Sequence, residues 1–270
     1  MRRDPIIMPA MADDANANRA AAGADSGSLA ATAVAELRGL RVHDVSPTIQ
    51  TGLPIFQAFE PPEITTISTH EEVGVAAYQL RMSEHTGTHV DAPFHFVPDG
   101  QTIDEVPIDA LFLRPFKKYD LSNTPHEPGE LIELDELKQA GEDAGLALEA
   151  GDVAIVDMGW ERYLPDGEEP RESEWWGHNE PGLSNEACAY LADSGVVAVA
   201  SDTPACDLAS KDGEIKAAHG HSEHFLPRGI LIVESLRGLS QVPPTGLFVA
   251  LPLKIAGGTG SPLRILLLTE

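Results

Sequence analysis

A dense group of histidines in one short stretch is the feature that most constrains this chain. Four residues with metal or proton chemistry, His85, His89, Asp91 and His95, lie within eleven consecutive positions. Imidazole nitrogen and carboxylate oxygen are ligands that zinc, manganese and iron share. Two histidines and one aspartate therefore predict a three-point metal site that leaves coordination positions open for water.

The spacing of these residues predicts a bend in the chain. A straight strand rises about 3.3 Å per residue, so it would place the α-carbons of His85 and His89 roughly 13 Å apart, too far to share one ion. Gly87 lies between them and permits a bend. His89 and Asp91 are two positions apart and can share one face of an extended segment. Pro93 then disfavours a helix through this segment.

Other catalytic signatures fit this sequence poorly. Thr86 stands where the HExxH motif of zinc proteases needs glutamate, and the sequence contains no GxSxG motif. Cys188 and Cys206 lie in no recognisable nucleophile context. Two cysteines in 270 residues offer no disulfide framework, which favours a reducing, cytoplasmic location.

Charge and hydropathy exclude two classes of partner. The chain has 18 Lys and Arg against 43 Asp and Glu, a formal net charge of −25, which argues against nucleic acid as a partner. Apolar runs fall well short of the eighteen or so residues of a membrane span, so we expect a soluble protein. The acidity indicates either a surface adapted to concentrated salt or an unusually acidic cytosolic surface.

Strand and helix patterns alternate through most of the chain. Residues 1–38 lack periodicity and are rich in alanine and asparagine, which predicts a flexible tail before a domain at 39–270. The predicted elements are strands at 41–45, 78–82, 152–157, 196–200, 229–234, 247–253 and 263–268, and helices at 131–140 and 184–193. This alternation predicts a single α/β domain with a mixed sheet or a partly closed barrel.

The histidine-rich segment also resembles a known family. The sequence HTGTHVDAPFHF at 85–96 is similar to the HxGTHxDxPxH signature of the cyclase family of metal-dependent hydrolases, which includes bacterial kynurenine formamidases and isatin hydrolases. The resemblance runs from about residue 42 to the C-terminus. Weaker matching pieces follow in the family's order at 157–160, 182–184, 201–207, 229–234, 252–255 and 260–264. It implies an α/β fold built around a barrel-like, swivelling β/α/β core.

The resemblance implies roles for the clustered residues. His85, His89 and Asp91 would bind a divalent metal, zinc or manganese, and His95 would be the catalytic acid and base. Glu234 matches a later family glutamate that completes a second metal position or the first one.

The family also places a histidine twelve residues before that glutamate, where this chain has Ser222. We rank His224 first as its substitute, His221 second and His219 third. The alternative is that the second metal position is absent.

The implied reaction is hydrolysis of a carbon–nitrogen bond in a small amide. An arylformamide such as N-formylkynurenine is the leading substrate, with a cyclic amide like isatin, or a lactone-acting or cyclising activity, as alternatives. A metal-binding protein without turnover is the non-enzymatic alternative.

Trp160 is either a stacking residue for an aromatic substrate or a core aromatic. Asp202 and Asp207 either support the metal ligands or form turns. We expect a homodimer or homotetramer.

Overall fold

The structure is a computed structural model that describes residues 29–270. The α-helices of this range are α1 Leu29–Gly39, α2 His70–Val73, α3 Leu134–Asp143, α4 Ser173–His178 and α5 Asn185–Asp193. Its strands are β1 Arg41–Asp44, β2 Glu63–Ser68, β3 Ala77–Arg81, β4 His89–Asp91, β5 Phe112–Asp120, β6 Leu131–Ile132, β7 Val153–Asp157, β8 Gly182–Leu183, β9 Ala198–Ser201, β10 Ser210–Lys211, β11 Glu214–Ile215, β12 Leu231–Glu234, β13 Thr245–Val249, β14 Gly260–Pro262 and β15 Leu266–Thr269.

A nine-stranded mixed sheet forms the centre of the fold. Its strand order is β1-β15-β13-β5-β7-β9-β12-β4-β14, and β2 with β3, β6 with β8, and β10 with β11 form separate two-stranded sheets. The central strands β5, β7, β9 and β12 run parallel to one another, whereas β4 pairs antiparallel with β12. The predicted mixed α/β fold is confirmed.

The apolar runs at 152–157 and 196–200 become strands buried on both faces. Val153 and Ile155 of β7 pack into one core cluster, whereas Ala154 and Val156 pack into a second cluster that contains residues of α3 and α5. Strands covered on both faces need apolar residues at every position, which explains the continuous runs. In the sheet β9 is followed by β12 and then by β4, which carries part of the histidine-rich segment.

The helix boundaries agree with the sequence in one case and differ in another. The side chain of Ser184 accepts a hydrogen bond from the Ala187 amide at the start of α5, as expected of an N-cap. The helix predicted at 131–140 instead begins at Leu134, because Leu131 and Ile132 form β6 and pair in parallel with β8. Strand pairing therefore overrides the local helical spacing.

The predicted N-terminal tail falls largely outside the described residues. Its last part forms α1, which has no buried side chain among the described positions. Alanine has the highest helix propensity, so an alanine-rich stretch can be helical without an amphipathic pattern. The boundary at residue 39 remains a prediction.

By its contacts the described chain divides into two compact units, residues 29–40 with 65–79 and residues 41–64 with 80–270. None of the described helices is long and apolar enough to cross a membrane.

We expect His43 to make the stability of the fold depend on pH. This residue on β1 is buried, and its Nε2 lies 2.9 Å from Thr269 Oγ1 on β15. Burial, and then the nearby Arg41, lower the pKa of His43. Below its ordinary pKa of 6.5, the unfolded chain therefore takes up a proton that the folded chain resists. The free energy of unfolding should fall as the pH drops from about 7 to about 5.

His43→Gln keeps a polar side chain but does not titrate, so this variant should lose part of that slope. Denaturant unfolding of both proteins across the same pH range measures it. Identical slopes would contradict the assignment to His43.

Candidate metal centre and its cavity

The local chain path brings the histidine-rich segment back on itself. Gly87 adopts a positive φ of 62°, so the bend predicted between His85 and His89 is present. His89 and Asp91 lie on β4, and the register of β4 with β12 places Glu234 directly opposite His89. A 3₁₀ turn at Pro93–His95 follows. Strand pairing therefore brings a residue 145 positions away beside the motif.

Five side chains converge in the interior, and each is at most 4% exposed. Asp91 Oδ1 lies 2.7 Å from His85 Nδ1 and 3.4 Å from His89 Nε2. Glu234 Oε2 lies 3.2 Å from His89 Nε2. His221 Nε2 lies 3.2 Å from Asp91 Oδ2 and 3.5 Å from Glu234 Oε1. We call these five residues the metal cluster.

The donor set of the metal cluster fits a divalent cation. Asp91 Oδ1 is buried and accepts no hydrogen bond of ordinary geometry, although two ring nitrogens lie nearby. An unpaired buried acceptor of this kind is costly, and a cation would satisfy it. Two groups of three residues each offer ligand atoms that lie within 4.8 Å of one another. One group is His89, Asp91 and Glu234, and the other is His85, Asp91 and His95. Imidazole and carboxylate are the ligands expected for zinc or manganese.

The charges in the metal cluster are strongly coupled. Burial by itself would lower the pKa of His89, but its contacts with the Asp91 and Glu234 carboxyl groups raise it to about 10. Burial would raise the pKa of Asp91, but the hydrogen bond with His221 and the contact with His85 hold it well below its usual range. Burial and the neighbouring Asp91 raise the pKa of Glu234. Protonated imidazoles balance the buried carboxyl groups in this arrangement, and a divalent ion would supply the same positive charge.

The structure distinguishes the three histidines that the sequence left open. Residues 220–224 form a π-helical turn, and within it His221 is buried against Asp91 and Glu234. His224 Nε2 instead lies 2.7 Å from Asn185 Oδ1, and His219 Nδ1 lies 3.1 Å from Glu223 Oε1. In this placement His221, rather than the first-ranked His224, lies against Asp91 and Glu234. The wide turn directs positions 221 and 224 towards different neighbours, which spacing along the chain does not reveal.

Partners outside the cluster orient its imidazoles. Asp207 is fully buried and accepts hydrogen bonds from His221 Nδ1 and from the backbone amides of Gly220 and His221, the last two at 2.6 and 3.0 Å. His85 Nε2 lies 2.8 Å from Thr259 Oγ1. Such partners fix which ring nitrogen faces a metal.

The sequence left the roles of Asp202 and Asp207 open, and the structure separates them. Asp207 contacts the His221 ring, whereas the Asp202 carboxylate accepts backbone hydrogen bonds from Met158 and Trp160 at 2.8 and 2.5 Å. Asp207 is therefore in a position to support a metal ligand. Asp202 organises the chain that follows β7.

A cavity of about 250 Å³ opens beside the metal cluster. His95 and mainly apolar side chains line it, including Phe56, Phe59 and Phe96. The Phe59 ring stacks on His85 at 5.1 Å between centroids, and the Phe96 ring lies 4.8 Å from that of His221. Sequence reasoning missed these phenylalanines. The position of Phe96, next to the histidine motif, was the one available signal.

Trp160 does not line this cavity. It is buried in a separate aromatic cluster, where its ring lies 4.7 Å from Tyr163 and 5.6 Å from Trp175 between centroids. Of the two alternatives for Trp160, this position is that of a core aromatic. The turn after β7, which Asp202 holds, directs Trp160 into the core.

His95 has the environment of a neutral imidazole. Its ring lies 4.2 Å from that of His85 between centroids and faces the cavity. Burial, assisted by the nearby His85 and His221 and opposed by Asp91, lowers the pKa of His95 to about 4. The ring is therefore free to accept a proton near neutral pH.

Comparisons with known proteins identify the family of the chain. The family model described as Putative cyclase matches residues 43–208. A kynurenine formamidase from Salinibacter ruber is 34% identical over 206 residues, which are 75% of this chain and 84% of that protein. The solved structure of isatin hydrolase A from Ralstonia solanacearum aligns with a TM-score of 0.78 and 27% identity, covering 93% of this chain and all of that chain. A second structure, described as a potential metal-dependent hydrolase with cyclase activity, aligns with a TM-score of 0.64 and 27% identity and covers 86% and 98% of the two chains. The chain therefore belongs to the Putative cyclase family and is a metal-dependent amide hydrolase.

Proposed function

We propose that this chain hydrolyses the carbon–nitrogen bond of an arylformamide such as N-formylkynurenine. The observation that carries the proposal is the buried metal cluster beside a neutral His95 and an apolar cavity. The proposed metal ligands are His85, His89, Asp91 and Glu234, with His221 in the place first assigned to His224. The kynurenine formamidase name of a 34% identical relative supports the choice of substrate.

The proposed cofactor is Zn²⁺ or Mn²⁺. Both ions accept imidazole and carboxylate ligands, and metal analysis of the purified protein decides between them. When bound, such an ion supplies Lewis acidity, which activates water and polarises an amide carbonyl.

His95 is proposed to move the proton during hydrolysis. With its pKa at about 4, the imidazole is unprotonated near neutral pH and can accept a proton from the attacking water. The same ring nitrogen then returns that proton to the leaving aryl nitrogen, so the amine departs in its neutral form. His95 lines the cavity, where a bound substrate would be within reach.

The cavity walls suit an aromatic substrate. Phe56, Phe59 and Phe96 supply apolar surface, and aromatic rings favour offset-stacked or edge-to-face contacts with such side chains. At about 250 Å³, the cavity is slightly smaller than the roughly 300 Å³ at the lower end of ligand pockets. A cavity of this size accommodates a single aromatic ring system.

A cyclic amide such as isatin is the second candidate substrate. Among the described residues that line the cavity there is no lysine or arginine, so none would pair with the carboxylate of an amino-acid substrate. A compact uncharged lactam needs no such partner. The similarity to a solved isatin hydrolase over 93% of this chain also favours this alternative.

A substrate panel tests the proposal. Purified protein loaded with Zn²⁺ or Mn²⁺ is assayed with N-formylkynurenine, formanilide, isatin and an aryl lactone, and kcat/KM is compared. We expect the highest value for a formamide. A preference for isatin or the lactone would select those alternatives, and bound metal without turnover of any compound would indicate a metal-binding protein.

We also propose that the chain forms a homodimer or homotetramer and acts in the cytoplasm. The strands β2 and β3 carry exposed apolar side chains, among them Ile67, Tyr78 and Leu80, that association would bury. Cys188 and Cys206 are both buried and unbonded to each other, which is compatible with a reducing compartment. Sedimentation equilibrium tests the oligomer, and a purely monomeric protein at micromolar concentration would contradict it.

A further inference from the structure

A short segment, residues 205–210, connects the metal cluster to a buried glutamate on its far side. The amide of Cys206 donates a hydrogen bond to Glu234 Oε1 at 3.2 Å, and Asp207 accepts one from His221 Nδ1. Ala205 and Leu208 of the same segment line the cavity. The position of this segment therefore affects two residues of the metal cluster and one wall of the cavity.

Glu180 holds both ends of that segment. Its side chain is fully buried; Oε2 accepts a hydrogen bond from the Ala205 amide at 2.8 Å, and Oε1 accepts one from Ser210 Oγ at 3.3 Å. The backbones of Glu180 and Ser210 also exchange two hydrogen bonds, at 3.0 and 2.9 Å. One side chain thus ties together the first and last residues of a six-residue segment.

The neighbouring residue Gly182 shows how closely the segment is held. A Cβ atom at position 182 would lie 2.5 Å from the Ala209 amide nitrogen and 2.7 Å from the Asp207 carbonyl oxygen. Real Cβ contacts are not this short, so the strand β8 and the segment touch backbone to backbone. Movement towards β8 is therefore blocked, so a shift of the segment after loss of its bonds to Glu180 would be directed away from β8.

The charge state of Glu180 is compatible with this role. Burial, with the nearby Glu234 and Asp207, raises the pKa of Glu180 well above its usual range. In a neutral carboxyl group, the carbonyl oxygen accepts the hydrogen bond from the Ala205 amide. The hydroxyl group can donate a hydrogen bond to Ser210 Oγ or accept one from it. Glutamine presents the same pair of groups, an acceptor oxygen and a donor nitrogen.

We propose that Glu180 is a positioning residue of the metal centre: through the segment 205–210 it sets the placement of Asp207, and so of the His221 ring. This inference rests on the proposed assignment of His221 and Glu234 as metal ligands. It predicts that the hydrogen bonds of Glu180 control metal affinity. Among the described residues, no hydrogen bond joins Glu180 directly to the metal cluster.

The test compares Glu180→Leu with Glu180→Gln. Metal-stripped full-length protein is titrated with Zn²⁺ alone and with Mn²⁺ alone, and the Kd is measured at a temperature where unfolding curves show every variant folded. We expect Glu180→Leu to weaken binding about tenfold, the lower end of the effect of partners that orient metal ligands. Glu180→Gln should bind close to the parent value. Ser210→Ala removes one of the two bonds, provides an alternative should Glu180→Leu not fold, and should weaken binding by a smaller factor.

Asp152→Asn is the matched control for a buried carboxyl elsewhere. Asp152 is buried and accepts a hydrogen bond from the Glu149 amide at 3.0 Å, in a turn before β7. This variant should lower the midpoint of unfolding without changing the Kd for metal. A purely structural role of Glu180 would give the same result as this control.

The outcomes separate this inference from the proposed function. Parent-like metal affinity in Glu180→Leu, or equal losses in the Leu and Gln variants, would overturn the role of Glu180. Weaker binding in Glu180→Leu with rescue in Glu180→Gln supports it, even if the protein hydrolyses no arylformamide. A parent protein that binds neither ion would overturn both proposals.

Discussion

Replacing His221 with alanine is expected to weaken metal binding by more than about 100-fold and to abolish turnover. Loss of residues that only orient metal ligands typically costs 10- to 100-fold in affinity, so loss of a ligand should exceed about 100-fold. The variant also leaves Asp91, Asp207 and Glu234 buried with one fewer donor, since His221 lies within 3.5 Å of all three. The loss of metal affinity is measured by the metal content after dialysis and by a metal titration. The loss of turnover is measured as kcat/KM for the best substrate.

His224→Ala is the matched control, because both residues lie in the same π-helical turn. His224 is bonded to Asn185 rather than to the metal cluster, so we expect this variant to retain metal and activity. The reverse result, with His224→Ala losing metal and His221→Ala keeping it, would restore the ranking based on sequence. Loss of metal in both variants would indicate that the turn itself, rather than one ring, is required.

Replacing His95 with alanine should separate proton transfer from metal binding. General acid–base catalysis contributes about 10²- to 10⁴-fold, so kcat should fall by that factor, equivalent to about 3–5 kcal/mol in the barrier. Metal content should remain near that of the parent, because the other imidazoles and both carboxylates of the metal cluster are unchanged. Steady-state kinetics and metal analysis of the same preparation give the two values.

His219→Ala serves as the control for His95→Ala. His219 is partly exposed and pairs with Glu223, so its removal should leave kcat unchanged. If His95→Ala loses its metal as well, His95 would be a ligand rather than the proton-transferring group. Unchanged kcat in His95→Ala would remove this residue from the mechanism.

Much of the candidate site could be predicted because its core is local in sequence. His85, His89 and Asp91 lie within seven positions, with Gly87 at the bend where φ is positive. Convergence of these side chains is a property of a few backbone angles, which residue types and spacing constrain. The buried strands were predictable for a similar reason, since a strand covered on both faces must be apolar throughout.

Long-range placement decided the remaining features. Glu234 joins the cluster through the register of β4 with β12, and Phe59 reaches His85 from a region without a helix or strand. Leu131 and Ile132 form a strand rather than the start of a helix because β8 pairs with them. In each case the deciding contact joins residues far apart along the chain, and local propensity contains no information about it.

The sequence by itself determined that imidazoles and a carboxylate lie together in one short segment with a further histidine beside them, and that the scaffold is α/β. Only the tertiary structure decided that His221 rather than His224 faces Asp91, that Trp160 lies in the core, and that Glu180 holds the segment carrying Asp207. The physical reason is that side-chain direction in a turn, and the partners of a buried polar group, depend on packing against distant segments. Residue type limits which contacts are possible, whereas the folded chain selects among them.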